Sequence, residues 1–510
     1  MRALNFMAPH LRILEKYSLV PVVTSINRNV AFSMSDHPIV KTKGSPITFR
    51  IRTEVALCSP NELFQVHPQQ MVAYQEHVLE KDALVILKLS CSHVAPPLED
   101  QTGGEPVKDA DSFVGRTYWS GKCRLDLDAP AIRAAFEESL EKDDTGEEVW
   151  KSVCATLQTL RYASLQYPLE GFPLRSLRRE LVEYTKFLCG LLADLEQPPC
   201  KLEEIQQQLR THLDSWERQG MKKAVVSSFA ALHAFHSRTG LVHGDISRSN
   251  MMVYSSVDFP APEDLPSPEA SVEEWVSALM DPQLLLLRCR LFDLDFSLPR
   301  GSLKGPCGTF DTMGLEDHQW FLLSSGKVSS EQLYPWKPME QLPEEDTSET
   351  LLELREAVRH QGQIATPNFG DEKKPVSFVK DWDGWFFACL KIICPVPRYM
   401  LLPGSAVEWI TSLTYKSPLE LYNIKFLWYS LSWEAFQRSL VPQEELDQQD
   451  PSVLEQYATV LNIFSVLFVV RDWVRADHVG ESAGTTVQDL VPVVSLLDPH
   501  QAEACSELLE

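Results

Sequence analysis

The sequence predicts an α+β protein with two unequal parts, a small β-rich part followed by a larger, mainly helical part. Three observations lead to this expectation. β-branched apolar runs lie in the first hundred residues, several segments after residue 200 have a helical apolar pattern, and 34 prolines against 22 glycines indicate long irregular loops. At 510 residues the chain is long enough for two or three domains, or for one two-lobed fold that carries insertions.

The first part contains two segments with the pattern of strands. Residues 46–57 (PITFRIRTEVAL) and 82–90 (DALVILKLS) are rich in β-branched residues, with alternating or continuous apolar positions. Residues 97–112 are polar, acidic and glycine-bearing, which predicts a loop or an insertion. Residues 131–142 and 147–163 are expected to be helical, because apolar residues in the second segment are spaced for one buried face.

The second part should contain a long helix that ends near residue 240. Val225, Phe229, Leu232 and His236 fall on one helical face, and Gly240 stands where the residue after a helix end belongs.

Strands and loops are expected to follow this helix. Residues 241–254 (LVHGDISRSNMMVY) have the pattern of a strand end, a polar loop and a second strand, and residues 284–298 (LLLLRCRLFDLDFSL) that of a short apolar strand. The apolar residues 382–394 predict another helix. Two polar, proline-bearing stretches, residues 258–274 and 325–378, are expected to be solvated insertions.

The charge balance argues against a nucleic-acid partner. The chain has 47 Lys and Arg against 71 Asp and Glu, a formal net charge of −24. Nucleic-acid affinity comes mostly from basic side chains that neutralise phosphates, and no Lys/Arg cluster stands out here. We therefore expect no nucleic-acid binding.

Neither a membrane nor export is expected. The longest apolar run, residues 457–470, contains Asn462 and Ser465 and stops at Arg471, so it is too short to span a bilayer and predicts a buried helix. The N-terminal residues lack the apolar core and the cleavage site of a secretory signal. Eleven cysteines without a CxxC pair are typical of reduced thiols in a cytoplasmic or nuclear protein.

Polar residues that suit phosphoryl transfer appear in two places. His243-Gly244-Asp245 is followed by Asn250, and such a site needs a carboxylate to accept or orient the attacking hydroxyl, with a nearby oxygen ligand for Mg²⁺. Asp293 ends an apolar strand pattern, and Mg²⁺ prefers one or two carboxylates together with substrate phosphates. The loop and the strand end therefore predict a common magnesium site.

Two further signatures follow in sequence, residues 308–316 (GTFDTMGLE) and Asp381 at the start of an apolar helix. With them the sequence resembles the protein-kinase superfamily, and within it the fungal-type protein kinase domain. That domain has a catalytic loop like H-x-D-I-S-x-x-N, a D-F-D motif that matches residues 293–295, a G-T-x-x-x-M-x-x-E element, and an acidic residue that opens an aromatic-rich helix. The resemblance covers roughly residues 220–395.

The resemblance implies a two-lobed protein-kinase-like fold with a β-rich small lobe, a mainly helical large lobe and loop insertions. Residues 1–200 would form an N-terminal extension and the small lobe, residues 201–476 the large lobe, and residues 477–510 an acidic tail. It also implies ATP and Mg²⁺ as cofactors and a protein substrate.

The roles of single residues follow from the resemblance. Asp245 would be the catalytic base, and Asn250 and Asp293 the metal ligands. Thr309 would lie in the substrate-facing loop near Asp245, and Asp381 would brace the backbone of the catalytic loop. Glu316 would have a structural role, and His243 is expected to be a packed loop anchor without a chemical role.

Lys88, at the end of the pattern Val85-Ile86-Leu87-Lys88, is the candidate for holding the α and β phosphates. Its carboxylate partner on the next helix would be Glu148, with Glu137 as a rival. The chain departs from the family pattern because Gly44 is the only glycine in its first 100 residues, so no glycine-rich phosphate loop precedes Lys88.

Three functions are compatible with these motifs. The first is an ATP- and Mg²⁺-dependent phosphotransferase that acts on Ser or Thr hydroxyls of a protein. The missing glycine loop leaves open a pseudokinase or binding scaffold with the same fold. His243-Gly244-Asp245 also suits a phosphotransferase of small molecules that resembles aminoglycoside or choline kinases, although that family lacks the G-T-x-x-x-M-x-x-E element.

Overall fold

The computed structural model describes most of the chain after residue 172 and separate segments before it. These are residues 47–52, 64–66, 84–90, 113–114, 117–123, 162–166, 172–195, 198–255, 265–279, 287–292, 294–305, 307–324, 328, 354–356, 374–394, 396–446 and 451–479. The chain divides into two compact units, residues 1–170 with 293–297 and residues 171–292 with 298–510.

The first unit contains a five-stranded antiparallel sheet. Its strands are β1 (Ile47–Arg52), β2 (Phe64–Val66), β3 (Leu84–Ser90), β4 (Thr117–Cys123) and β5 (Tyr162–Gln166). They lie in the order β1-β3-β5-β4-β2, so β3 is paired on both edges. The two strands predicted from apolar patterns are confirmed as β1 and β3, which begin one and two residues later than their predicted segments.

Two features of this sheet differ from the sequence-based expectation. Strand β4 was not predicted, since its sequence TYWSGKC lacks a clear apolar alternation. The prediction of a helix over residues 147–163 is wrong at its C-terminal end, because Tyr162 and Ala163 begin strand β5. Strands β3 and β4 pair with β5 on its two edges, and this pairing overrides the local helical pattern. Residues 131–142 and 147–161 lie outside the described ranges.

The second unit is mainly helical. Its helices are α1 (Leu177–Ala193), α2 (Leu202–Thr211), α3 (Leu213–Thr239), α4 (Val272–Leu279), α5 (Leu315–Ser324), α6 (Phe378–Ile393), α7 (Ala406–Ser412), α8 (Pro418–Ser430), α9 (Trp433–Arg438), α10 (Gln443–Leu446) and α11 (Pro451–Val479). Its strands are β6 (Phe172–Pro173), β7 (Leu241–Val242), β8 (Met251–Ser255), β9 (Leu287–Leu291), β10 (Leu298–Pro299), β11 (Leu303–Lys304) and β12 (Lys374–Pro375).

Helix α3 lies at the centre of this unit and packs against β9, α11 and α1. The predicted helical face is confirmed, because Val225, Phe229 and Leu232 are buried within α3. The predicted helix end is also confirmed. Gly240 has a φ of +67° and its N–H donates to the His236 carbonyl at 2.9 Å, an arrangement that favours glycine after a helix end.

Strands β6, β8 and β9 form an antiparallel sheet beside α3, and β7 pairs with β10. The strand, loop and strand predicted over residues 241–254 are therefore β7, residues 243–250 and β8. Strand β9 covers part of the apolar run predicted over residues 284–298. The backbone of the polar loop is held between two ordered strands.

Part of the predicted insertion at residues 258–274 is ordered helix. Ser271 and Glu274 form a reciprocal capping pair, in which the Ser271 N–H donates to the Glu274 carboxylate and the Glu274 N–H donates to the Ser271 hydroxyl. Helix α4 then buries Trp275, which is 1% exposed. Two of the acidic residues of this stretch, Glu273 and Glu274, are exposed in the first turn of the helix.

Helices α6 and α11 are longer than their apolar patterns predicted. Helix α6 begins at Phe378 rather than at residue 382. Helix α11 contains the predicted buried helix, residues 457–470, and extends beyond both of its ends. Within the described part of the chain, one stretch (Pro451–Val474, mean hydropathy 1.7) has the length and composition to cross a bilayer, and half of its most apolar window is buried inside the protein. A buried core helix of a soluble protein can have the same length and apolar composition, so this stretch is only weak evidence for a membrane span.

Helix α8 begins with a strong local signal. Ser417 precedes Pro418, its hydroxyl accepts from the Glu420 N–H at 3.3 Å, and its own N–H donates to the Glu420 carboxylate at 3.1 Å. This capping box fixes where the helix starts. It therefore fixes the register of the one lysine inside the helix, Lys425, which is 3% exposed.

Candidate functional site

The candidate site is built on the polar loop of residues 243–250, which connects β7 to β8. Gly244 has a φ of +81°, a backbone conformation that side-chain-bearing residues rarely adopt. The Asn250 N–H donates to the Ser247 carbonyl at 3.0 Å, which closes the end of the loop before β8 begins. The loop is therefore a compact turn with its two ends fixed in sheets.

Asp381 braces this loop from the first turn of α6. Its carboxylate accepts from the His243 N–H at 2.5 Å and from the Gly244 N–H at 2.8 Å, and its side chain is 1% exposed. The Nε2 atom of His236 on α3 lies 2.9 Å from the same carboxylate. The resemblance implies this bracing position for Asp381.

The ionisation of this buried pair follows from its hydrogen bonds. Burial lowers the pKa of His236, so the imidazole is neutral and donates through its Nε2–H. Burial alone would raise the pKa of the Asp381 carboxyl, but hydrogen bonds from His236 and Gly244 lower that pKa below its ordinary value. Asp381 is therefore an ionised carboxylate with three donors.

His243 is a packed anchor. The ring is fully buried, its Nε2 lies 2.9 Å from the Phe292 carbonyl, and the Asp245 N–H donates to its Nδ1 at 3.3 Å. Because Nδ1 accepts a hydrogen bond, the proton is on Nε2 and is donated to Phe292. This arrangement gives the ring a structural role, since both nitrogens are used within the fold.

Asp245 and Asn250 point towards each other across the loop. The Asn250 Nδ2 donates to the Asp245 backbone carbonyl at 2.9 Å and to its carboxylate at 3.1 Å. Both acceptors are oxygens, so the amide nitrogen must face Asp245, and the amide oxygen is directed elsewhere. Carboxylate and amide oxygens are ligands that Mg²⁺ prefers, so these two residues fit a magnesium site.

The segment 308–313 supplies a second support for Asp245. Gly308 has a φ of +115°, and the Thr309 N–H donates to the Asp245 carboxylate. The Thr312 hydroxyl donates to the Ile246 carbonyl at 2.8 Å. A Cβ atom on Gly308 would lie 3.1 Å from the Gly244 carbonyl oxygen, so glycine allows the close approach of the two segments.

A small recess, partly open to solvent, lies beside Asp245 and Thr309. Lys380 and Cys307 also line it, with the lysine Nζ 2.8 Å from the thiol sulfur. Burial alone would lower the pKa of Lys380, but the Asp317 carboxylate with which it forms an ion pair and Cys307 raise that pKa. The recess thus contains both a carboxylate and a retained positive charge.

The structure brings Asp245, Asn250, His243, Thr309 and Asp381 together. Glu316 lies in the first turn of α5. Two residues that support the site were not predicted from the sequence, Lys425 and Thr312. A single lysine in the apolar stretch of α8 was the available signal for the first of them.

Four other predicted site residues have a less complete description. Lys88 lies within β3, opposite Thr48 on β1 and Ser164 on β5. Asp293, Glu148 and Glu137 lie outside the described residues. The strand β4 stands between Lys88 and Glu148 in the sequence, so the first described element after β3 is a strand rather than the expected helix. In the described ranges, no group of three or more His, Cys, Asp and Glu side chains forms a metal site.

Comparison of the chain with protein-family models, with curated proteins and with solved structures finds no match.

Proposed function

We propose that this protein is an ATP- and Mg²⁺-dependent phosphotransferase that phosphorylates Ser or Thr hydroxyls of a protein substrate, with a two-lobed protein-kinase-like fold. The observation that carries this proposal is the fixed carboxylate of Asp245. It accepts from the Asn250 amide and from the Thr309 N–H, on a loop whose backbone donates to the buried Asp381. A carboxylate oriented in this way suits a base that receives a hydroxyl proton.

In the proposed reaction the substrate hydroxyl oxygen attacks the γ-phosphorus of ATP. The new P–O bond forms as the bond to the β–γ bridging oxygen breaks, ADP leaves, and the hydroxyl proton passes to Asp245. Mg²⁺, when bound, neutralises charge on the phosphate oxygens, and Asn250 and Asp293 would hold it. Asp245 positions the attacking oxygen, which accounts for much of the catalysis available to such a site.

The contacts of Phe292 support Asp293 as the second metal ligand. The Phe292 N–H donates to the Asn250 carbonyl at 2.9 Å, and the Phe292 carbonyl accepts from His243. Phe292 directly precedes Asp293 in the sequence. The backbone before the proposed metal ligand is thus bonded at both of its polar groups to the loop that carries Asp245 and Asn250.

Lys88 is proposed to hold the α and β phosphates, with Glu148 as its carboxylate partner. Its location within a strand that is paired on both edges supports the first of these roles, because such a strand is a rigid base for a point charge.

A phosphotransfer assay tests this function. The parent chain, Asp245→Asn and Asp293→Ala are incubated with Mg²⁺ and γ-labelled ATP on a library of Ser/Thr peptides. We expect both variants to lose at least about 100-fold in rate. Asp214→Asn, at a side chain on α3 that is 70% exposed, is the matched control and should keep the parent rate. Equal transfer by all four proteins would refute the assignment.

Two additional measurements separate the alternatives. Choline and aminoglycosides are offered in place of the peptides, and transfer to them alone would favour the small-molecule kinase. The melting temperature is then measured with and without Mg²⁺ and ATP, because a ligand that binds only the native state raises it by mass action. A chain that neither transfers phosphate nor shows this rise would be a scaffold.

A further inference from the structure

Lys425 is a buried charge that the proposed reaction does not use. Its side chain is 3% exposed and its Nζ lies 4.9 Å from the centre of the Phe387 ring. It donates to the Phe310 carbonyl at 3.1 Å and to the Met313 carbonyl at 2.8 Å. Because an ammonium is costly to bury, these two acceptors are needed to hold it in an apolar helix face.

The two carbonyls belong to the turn that holds Asp245. Within this turn the N–H groups of Thr312 and Met313 donate to the Thr309 carbonyl at 3.0 and 2.7 Å. The Thr309 N–H at its start donates to the Asp245 carboxylate. A clamp on the carbonyls of Phe310 and Met313 therefore fixes the direction of the Thr309 N–H.

Other charged groups surround this clamp without replacing it. Asp311, in the same turn, pairs with Lys391 of α6 at 2.6 Å, but its side chain is 45% exposed, and exposed ion pairs contribute little. Asp383 of α6 accepts from the Leu315 N–H at 3.3 Å, at the start of α5. Among the described residues, Lys425 is therefore a buried cation that bonds directly to two backbone carbonyls of the turn.

We propose that Lys425 is a positioning residue for phosphoryl transfer, which holds the turn of residues 309–313 so that the Thr309 N–H orients the Asp245 carboxylate. The role of Lys425 in phosphoryl transfer rests on the proposed function. The clamp of Lys425 on the turn of residues 309–313 does not.

Hydrogen exchange tests the clamp without any assay of activity. In Lys425→Met the Thr309, Thr312 and Met313 amides should exchange about tenfold faster than in the parent, because the two hydrogen bonds from Nζ to the turn carbonyls are lost. The matched control is Arg471→Met. Arg471 is also a buried cation, and its guanidinium donates to the carbonyls of Trp428 and Leu431, away from this turn.

The clamp is supported if exchange in the turn accelerates in Lys425→Met and stays at the parent rate in Arg471→Met. It is overturned if Lys425→Met leaves the turn unchanged, or if both variants accelerate it equally. Should Lys425→Met fail to fold, Lys425→Gln replaces it, because its amide keeps two N–H donors on a shorter side chain. That chain is too short to reach both carbonyls, so the same acceleration is expected, and an unchanged rate again overturns the clamp.

Steady-state kinetics test the catalytic part. Lys425→Met should lower kcat about tenfold with the KM for ATP unchanged, and Lys425→Arg should restore part of the loss, because a guanidinium can donate to both carbonyls. A parent kcat in Lys425→Met overturns the positioning role. If no form of the chain transfers phosphate while exchange in the turn responds as expected, the proposed function fails and the clamp stands.

Discussion

Two buried charges, Asp381 and Lys425, hold the segments around Asp245, and burial affects them in different ways. Asp381 fixes the loop directly before Asp245 through the backbone N–H groups of His243 and Gly244. Lys425 fixes the turn after Gly308 through the carbonyls of Phe310 and Met313. Both charges contact backbone, so each acts on the position of a whole segment.

The difference between them lies in what surrounds each charge. Asp381 has three hydrogen-bond donors, which lower its pKa in spite of its burial and keep it ionised. Lys425 has two neutral acceptors and a second cation nearby, so burial and Lys391 lower its pKa to about 7, against the opposing effects of Asp311 and Asp383. A buried side chain thus stays ionised where enough groups of opposite polarity face it. Where such groups are too few, its charged form is destabilised and its pKa moves towards the neutral form.

The largest effect is expected from Asp381→Ala. This substitution leaves the N–H groups of His243 and Gly244 and the His236 ring without their buried acceptor, so the free energy of unfolding should fall by about 3–5 kcal/mol. Urea unfolding measures it. Asp214→Ala, at a side chain that is 70% exposed and pairs with the exposed Arg178, is the control and should cost far less. Equal losses in the two variants would contradict the bracing role of Asp381.

The lowered pKa of Lys425 predicts that the stability of the protein depends on pH. Lys425 titrates near about 7 in the fold and near its ordinary value of 10.5 when unfolded, so the unfolded chain binds more protons between these values. The free energy of unfolding contributed by this group therefore rises with pH from about 7 upwards, by at most about 1.4 kcal/mol per pH unit.

Urea unfolding of the parent and of Lys425→Met at pH 7 and pH 9 measures this term. The free energy of unfolding of the parent, minus that of Lys425→Met, should increase from pH 7 to pH 9. Lys416→Met, which removes an exposed lysine, should keep the pH dependence of the parent. A constant difference between the parent and Lys425→Met would show that Lys425 does not titrate in this range.

A smaller effect is expected from Gly308→Ala, which disturbs the approach of the turn to Asp245. A methyl group there would meet the Gly244 carbonyl at 3.1 Å on a backbone with a φ of +115°. The free energy of unfolding should fall by about 1–3 kcal/mol. Gly190→Ala, in helix α1 with no atom within 4 Å of the added Cβ, should instead stabilise by about 0.5–1 kcal/mol. A stable Gly308→Ala would mean that the turn shifts at little cost.

The elements around the polar loop of the second unit could be predicted from local sequence. The end of α3 at Gly240 and the strands on both sides of the polar loop follow from apolar periodicity and from the preference of glycine for a positive φ. The first unit was harder to predict. Strand β4 has no clear apolar alternation, and the start of β5 has a helical pattern, so only pairing with neighbouring strands decides their conformation.

The sequence by itself singled out Asp245, Asn250 and Asp381 as candidates, through the motifs on which the resemblance to protein kinases rests. Only the tertiary structure showed how Asp381 bonds to the loop, and that Lys425 holds the neighbouring turn. Lys425 lies 115 residues from Phe310 and Asp381 lies 138 from His243, and such separations leave no periodic signal in the chain. Local patterns report the preferences of neighbours in sequence, whereas buried charges are positioned by segments that meet only after folding.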